Sequence, residues 1–155
     1  MKVKLEDVID GLEAQSDETH SYLNRRTGEV IWLGDDMLRR AEDEDDLEGE
    51  PAWMVEAVAE ARDVLESGDY LRLPYRWEID EYRIMEEFCI TQVEGAAQTK
   101  LLDAIRGKGA FRRFKDRAHD LGLLDRWYVY RGEQLARIAI EWCEENGIEC
   151  LRSGG

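Results

Sequence analysis

The hydrophobic pattern changes its period near the start of the chain, and this change constrains the fold more than any other feature. Residues 20–24 (His-Ser-Tyr-Leu-Asn) and 29–33 (Glu-Val-Ile-Trp-Leu) are typical of β-strands, because aromatic and β-branched side chains favour extended backbone. The four residues between them end in Gly28, which suits a type I turn followed by a left-handed residue. The stretch therefore predicts a β-hairpin in a chain whose other patterns are mostly helical.

Six segments repeat apolar residues at spacings of three and four, which predicts amphipathic α-helices. The last of them has apolar residues over more than a third of its circumference, so we expect it to lie in the core. Residues 70–73, just before Pro74, predict a third strand beside the hairpin. The sequence thus predicts an α+β fold, mostly helical, with a small three-stranded antiparallel sheet packed by five or six helices. The helical segments are residues 5–15, 51–67, 81–93, 96–106, 110–121 and 125–146.

Chain length and charge indicate how the chain is organised. At 155 residues, we expect a single domain over residues 1–155. Asp and Glu number 36 against 21 Lys and Arg, a net charge of −15. Nine of the acids lie in residues 35–50, where repulsion between like charges predicts an acidic linker or mobile loop. The run Asp43–Asp46 lacks the alternation and the central glycine of a calcium loop, so no metal site is predicted.

Several patterns bear on the location of the protein. The N-terminus turns acidic at once and has no signal-peptide core, and no apolar run is long enough to span a bilayer. The three cysteines, Cys89, Cys143 and Cys150, show no Cys-x-x-Cys spacing. We therefore expect a cytoplasmic protein with no membrane contact and no cofactor.

One stretch carries the opposite charge from the rest of the chain. Residues 106–119 hold six Lys and Arg and a single acid, a charge of +5, which leaves −20 for the remainder. On a helix, Phe111 and Phe114 fall on one apolar stripe, and the cations fall on its flanks. Arg112 and Arg113 suit bidentate contacts to an anion, while glycines in the preceding turn allow backbone donors to approach it. The predicted binding residues are Arg106, Lys108, Gly109, Arg112, Arg113, Lys115 and Arg117.

Four blocks of sequence carry a family resemblance. The most distinctive is residues 106–116, Arg-Gly-Lys-Gly-Ala-Phe-Arg-Arg-Phe-Lys-Asp. The others are Ser-Tyr-Leu-Asn-Arg at 21–25 with Thr-Gly-Glu at 27–29, residues 81–86, and residues 138–148. With these motifs the chain resembles the bacterial uncharacterised protein family 0158 over nearly its whole length except residues 37–50. The resemblance implies a shared fold, and it brings no catalytic or ligand residue.

The basic stretch leaves three classes of function open. The favoured prediction is a non-catalytic binding module that contacts RNA or an acidic protein segment; the overall charge argues against DNA. The alternative is a structural or self-associating protein, which includes a homo-oligomer. In this protein the basic stretch is paired internally with acids such as Asp43–Asp46. Base stacking is a less favoured interpretation of three aromatic residues, because aromatic residues at helical spacing are usually core, and Tyr130 is its best candidate. These three residues are Trp127, Tyr128 and Tyr130.

An enzyme is the third and least favoured class. A cysteine–histidine pair would need Cys89 or Cys143 beside His119, and acid–base chemistry would need Glu86 or Glu87. Both cysteines fall within apolar helical patterns, which is typical of buried, unactivated thiols. No catalytic residue is therefore predicted.

Overall fold

The computed structural model describes residues 2–75 and 79–152, and the chain divides into two compact units. The terminal unit comprises residues 1–78 and 138–155, and the central unit comprises residues 79–137. Each unit has a hydrophobic core of its own. The expectation of a single domain over the whole chain stays a prediction.

The described residues form seven helices and five strands, which confirms the mostly helical α+β fold. The helices are α1 (Leu5–Ala14), α2 (Asp35–Glu42), α3 (Ala52–Glu66), α4 (Glu81–Thr91), α5 (Gly95–Ala104), α6 (Ala110–Asp120) and α7 (Leu124–Glu145). The strands are β1 (Lys2–Lys4), β2 (Thr19–Asn24), β3 (Val30–Gly34), β4 (Tyr70–Arg72) and β5 (Glu149–Leu151).

The terminal unit contains the expected three-stranded antiparallel sheet, with strand order β3-β2-β4. Tyr22 at the centre pairs with Ile31 on one side and with Arg72 on the other. The hairpin turn has the predicted geometry, since Gly28 is left-handed with φ 78° and its N–H donates to the Asn24 carbonyl at 2.8 Å. The local sequence pattern was therefore sufficient to identify the hairpin.

Helices cover both faces of this sheet. On one face α1 comes so close that a Cβ added to Gly11 would lie 2.8 Å from Leu73 Cδ2, and the Ser21 hydroxyl donates to the Gly11 carbonyl at 2.6 Å. Glycine at position 11 is thus a requirement of the packing. On the other face, buried side chains of β3, α2 and α3 form a small aliphatic core. Its buried members are Leu33, Ala41, Val58 and Ala61.

The acidic segment, residues 35–50, contains more regular structure than repulsion between its like charges predicts. Residues 35–42 form α2, with two aspartates in the first turn and two arginines in the last, which suits the helix dipole. The Arg40 guanidinium then contacts the carboxylates of Asp45 at 3.3 Å and Glu50 at 3.2 Å. Leu47 packs against the aliphatic core. Residues 35–42 are therefore helical, while the expectation of an acidic linker or mobile loop over residues 35–50 as a whole stays a prediction.

A second, two-stranded sheet was not predicted. The strands β1 and β5 pair in parallel, with Val3 opposite Cys150. Each strand has only three residues, so neither shows a usable period, and their separation in sequence hides the pairing. This pairing joins the first strand of the chain to the last.

The central unit is helical and has an aromatic core. Its helix α4 has a side-chain cap, because the Asp80 carboxylate accepts a hydrogen bond from the Arg83 N–H at 3.2 Å. Phe88, Phe114 and Trp127 pack edge to face, with ring centroids 4.9 to 6.0 Å apart. These three rings from α4, α6 and α7 hold the central unit together and fix the orientation of α6.

Candidate functional site

The helix α6 carries most of the basic stretch, and a glycine turn leads into it. Gly107 and Gly109 have φ values of 74° and 76°, which side chains rarely adopt. Gly109 is the residue just before the helix, and no side chain caps this end. The helix buries Ala110, Phe114 and Ala118, which recur every fourth residue. The opposite side of α6 is therefore left facing solvent.

Arg113 holds the turn in place. Its Nε donates to the Ala104 carbonyl at 2.9 Å, and its two terminal nitrogens donate to the carbonyls of Lys108 and Arg106. The last carbonyls of a helix have no partner within the helix, so this guanidinium satisfies the end of α5. Arg113 thus stabilises the turn, and its fork is occupied by backbone. The expected bidentate contact of Arg113 to an external anion has no support in this geometry.

Four other cations of the predicted site have free side chains within the central unit. Among the described residues of that unit, no carboxylate forms an ion pair with any of them, and all four are exposed. Arg106 lies 3.8 Å from Asp103, but both side chains are well exposed, so this pair contributes little. The four cations without a carboxylate partner are Lys108, Arg112, Lys115 and Arg117.

The order of charges on α6 explains why its cations stay unpaired. Ion pairs within a helix are most favourable when an acid precedes a base by four residues. Asp116 is followed at that spacing by Asp120, and Arg112 precedes Asp116 in the less favourable order. Both aspartates also lie in the second half of the helix, where the dipole disfavours negative charge. The helix therefore offers its cations few good partners of its own.

Phe111 differs from the expectation that it would be buried with Phe114. Phe114 is fully buried, whereas Phe111 keeps 42% of its surface exposed. Side chains three or four residues apart are neighbours on a helix surface. The Phe111 ring therefore lies beside Lys115, four residues on, and Lys115 lies beside Arg112, three residues before it. We call this group of Phe111, Arg112 and Lys115 the Phe111 surface. It combines an exposed ring with two positive charges.

A family model covers almost the whole chain. The model of the uncharacterised protein family UPF0158 matches residues 1–153. The chain belongs to this family. The match includes residues 37–50, which the motif comparison left out, and it confirms the resemblance based on residues 106–116. We found no match to this UPF0158 protein among curated proteins or among solved structures.

The other aromatic candidates of this UPF0158 protein lie in different environments. The Tyr130 ring is half-buried, with its centroid 5.4 Å from that of Phe88, so it is a part of the core more than a free platform. Trp127 is buried, whereas Tyr128 is 50% exposed. Stacking on Tyr130, the best candidate from sequence, therefore has no support in the structure.

The residues considered for catalysis lie in ordinary structural roles. Burial raises the pKa of the Cys89 thiol to about 11, so it stays protonated at neutral pH, unlike a nucleophilic cysteine. Burial also raises the pKa of Cys143, with Cys150 beside it as a further cause. Glu87 accepts a hydrogen bond from Arg83 at 3.0 Å on the surface of α4. His119 is exposed and lies 3.8 Å from Asp120.

A polar cluster in the terminal unit was missed from the sequence. His20 Nε2 lies 2.6 Å from Asp35 Oδ1, and His20 Nδ1 lies 2.6 Å from Arg72 Nη2. Since an arginine can only donate, Nδ1 accepts, and the ring proton lies on Nε2 and is donated to Asp35. The Arg72 guanidinium also lies 3.6 Å from the centroid of the Tyr75 ring. Both ring nitrogens are occupied, so this histidine joins α2 to β4 instead of offering a free base.

Two features of the described residues bear on membranes and metals. Of the helices within residues 2–75 and 79–152, none is long and apolar enough to cross a membrane. In the same part of the chain, no three side chains of His, Cys, Asp and Glu are grouped so that they could hold a metal ion.

Proposed function

We propose that this UPF0158 protein is a non-catalytic cytoplasmic binding module that contacts an anionic partner through its basic stretch. One observation carries the proposal: Lys108, Arg112, Lys115 and Arg117 are exposed and have no carboxylate partner in the central unit. The protein has 36 acids, yet these cations are not neutralised by the helices around them. A cluster of unpaired cations attracts anions and speeds their association.

The roles of the individual residues follow from their chemistry. Arg112 offers a planar fork that fits a phosphate or carboxylate with two hydrogen bonds. Lys108 and Lys115 act as point charges on flexible stems. Arg113 contributes charge but not its fork, because the fork holds the turn that presents Lys108 and Gly109. The site thus consists of a hydrogen-bonded turn that carries Lys108 and of exposed cations on the helix that follows it.

A defined pair of polyanions tests this function. Binding of a fluorescent single-stranded RNA and of a labelled polyglutamate peptide is measured at about 50 mM and about 200 mM salt, the range over which such binding changes most. We expect at least one probe to bind, and to bind more weakly at the higher salt. The Arg112→Glu/Lys115→Glu variant should lose this binding and keep the circular dichroism spectrum of the wild type. If neither probe binds at the lower salt, the proposal fails.

A matched control separates local from general charge effects. Lys100→Glu/Arg137→Glu makes the same charge change at two exposed residues of the central unit outside the stretch. This variant should keep at least half of the wild-type affinity. Equal losses in the two double variants would mean that only net charge matters and that the stretch is not a site.

Self-association is the second candidate function, and the charge distribution favours it. The terminal unit carries ten Lys and Arg against 26 Asp and Glu, a net charge of −16, so a second copy of the chain is itself an anionic partner. Sedimentation velocity at low and high salt tests this idea. A dimer that dissociates at high salt and disappears in Arg112→Glu/Lys115→Glu would support self-association. A monomer at every salt concentration would remove it.

A further inference from the structure

The exposed ring of Phe111 is not needed to fill the core. Phe88, Phe114 and Trp127 already contact each other edge to face at the centre of the central unit. Phe111 lies on the flank of the same helix and keeps 42% of its surface exposed, while Phe114 is fully buried. An apolar ring in water is an unfavourable exposure that a bound partner can relieve. The ring also lies where the unpaired cations are.

The partner must therefore offer negative charge and a flat apolar surface together. A single-stranded nucleic acid does so, because each phosphate is accompanied by a base whose π face is free. A duplex keeps its bases stacked inside and offers mainly phosphates to such a surface. An acidic peptide offers carboxylates, but its side chains provide no regular series of flat faces. The chemistry of the Phe111 surface matches the single strand best.

We propose that the anionic partner is single-stranded RNA and that one base stacks on the Phe111 ring while Arg112 and Lys115 contact the adjacent phosphates. This inference rests on the proposed function, since it names the partner of the same site. Stacking on a phenyl ring tolerates every base, and Arg112 and Lys115 are assigned here to phosphates and not to base edges. Binding is therefore expected to depend weakly on sequence and strongly on salt.

Three ligands of equal length separate stacking from charge. Fluorescence anisotropy measures the binding of an oligouridylate of about 12 nucleotides, within the range of single-strand site sizes, of an abasic strand with the same backbone, and of an RNA duplex. We expect the oligouridylate to bind about 5- to 150-fold more tightly than the abasic strand, the range for one stacked base. The duplex should bind no more tightly than the abasic strand.

Variants at position 111 test the ring directly. Phe111→Ala should weaken oligouridylate binding about 5- to 150-fold and leave abasic binding unchanged. Phe111→Leu keeps an apolar side chain without a π face and should also lose most of the preference. Phe111→Trp should restore the preference, and its fluorescence should be quenched by the oligouridylate and not by the abasic strand, relative to the wild-type signal. Because residue 111 is largely exposed, these variants are expected to fold, which a urea titration checks.

The salt dependence tests the two cations. For a single strand, the logarithm of the binding constant falls with the logarithm of salt by about 0.7 for each phosphate that is neutralised. Arg112→Gln and Lys115→Gln should each reduce the slope by about 0.7. Phe111→Ala should weaken binding without changing the slope, because it removes no charge.

The failure of this inference and that of the proposed function give different results. If the oligouridylate and the abasic strand bind equally and Phe111→Ala binds like the wild type, stacking is wrong while anion binding stands. If polyglutamate binds more tightly than the oligouridylate, with the same need for Arg112 and Lys115, the partner is an acidic protein. If none of these ligands binds at low salt, both proposals fail.

Discussion

The two units of this protein differ in net charge and in how their cations are paired. The central unit carries eleven Lys and Arg against ten Asp and Glu, a net charge of +1, while the terminal unit has a net charge of −16. In the terminal unit, Arg26 pairs with Asp69 at 2.9 Å and Arg40 contacts two carboxylates. In the central unit, which is almost neutral, several cations of α6 have no carboxylate partner. Net charge therefore does not tell which cations are available.

The comparison teaches that pairing depends on local geometry. In the central unit Arg131 pairs with Glu81 at 2.6 Å, and Arg83 pairs with Glu87 one turn further along the same helix. The helix α6 has acids only at positions 116 and 120, where the order of the charges and the dipole both disfavour pairing. An excess of acids elsewhere in the sequence cannot compensate for this order.

The largest expected effect concerns the two phenylalanines of α6. Phe114→Ala removes a fully buried ring from the aromatic core and should lower the free energy of unfolding by about 3–5 kcal/mol. Phe111→Ala, the matched control on the same helix, should cost clearly less than Phe114→Ala, because 42% of the Phe111 surface is already exposed. Urea denaturation measures both. Similar losses in the two variants would show that the exposed and buried faces of α6 are assigned incorrectly.

Replacing a helical glycine by alanine should change the stability of the protein in opposite directions in the two units. Gly11→Ala in α1 places a methyl group 2.8 Å from Leu73 Cδ2 and should destabilise the protein by about 1–3 kcal/mol through overpacking. Gly132→Ala in α7 meets no atom within 4 Å and should stabilise it by about 0.5–1 kcal/mol, since alanine is the better helix former. Thermal unfolding reports both changes. A stabilised Gly11→Ala would contradict the close approach of α1 to the sheet.

The third prediction separates the two adjacent arginines. Arg113→Ala leaves the carbonyls of the turn without their donor and should cost about 1–2 kcal/mol of stability, whereas Arg112→Ala should stay within about 0.5 kcal/mol. Arg113→Lys keeps the charge but not the fork, so it should resemble Arg113→Ala in urea denaturation. If Arg113→Lys is as stable as the wild type, then charge and not the hydrogen-bonded fork holds the turn.

The smallest expected effect concerns the reactivity of the cysteine thiols, which can be compared between the two units. Cys89 of the central unit is buried with a pKa raised to about 11, and burial also raises the pKa of Cys143 in the terminal unit. Because the thiolate is the reactive form, both should resist a thiol reagent at pH 8, while the partly exposed Cys150 reacts. Mass spectrometry after brief labelling should find one modified cysteine in the native protein and three in denaturant. Early labelling of Cys89 would show that the aromatic core opens readily.

Raised thiol pKa values also set the direction of a pH effect. The folded-state pKa of Cys89 lies above the ordinary value of 9.0, so its contribution to stability is complete below pH 9 and is lost as the pH rises toward 11. Stability should therefore fall over this range, and less steeply in Cys89→Ala than in the wild type.

The patterns that succeeded are those in which the signal lies within a few consecutive residues. The hairpin was identified from its aromatic and β-branched residues and from Gly28. The helix α2 was missed because its stability depends on the sheet beneath it and on contacts between Arg40 and residues further along the chain. The β1–β5 pair was missed because it joins residues about 150 positions apart in three-residue strands.

The candidate site likewise has features that are local in the sequence and features that depend on packing. Its position on α6 and the glycine turn before it were apparent from the sequence, and four of the residues named there have no carboxylate partner within the central unit. The occupied fork of Arg113 and the exposure of Phe111 were not apparent. Helical spacing places Phe111 only about 60° from Phe114, which is compatible with either a buried or an exposed ring.

The sequence by itself determined the mostly helical α+β class, the hairpin and the basic stretch of residues 106–119 with its six Lys and Arg and single acid, because these features depend on the order of neighbouring residues. Only the tertiary structure decided which of those basic side chains are free. Hydrogen bonds from Arg113 to the end of α5 depend on how two helices meet, and the exposure of Phe111 depends on what the surrounding helices cover. Both are consequences of packing in three dimensions, which a local pattern of charge and hydrophobicity does not reveal.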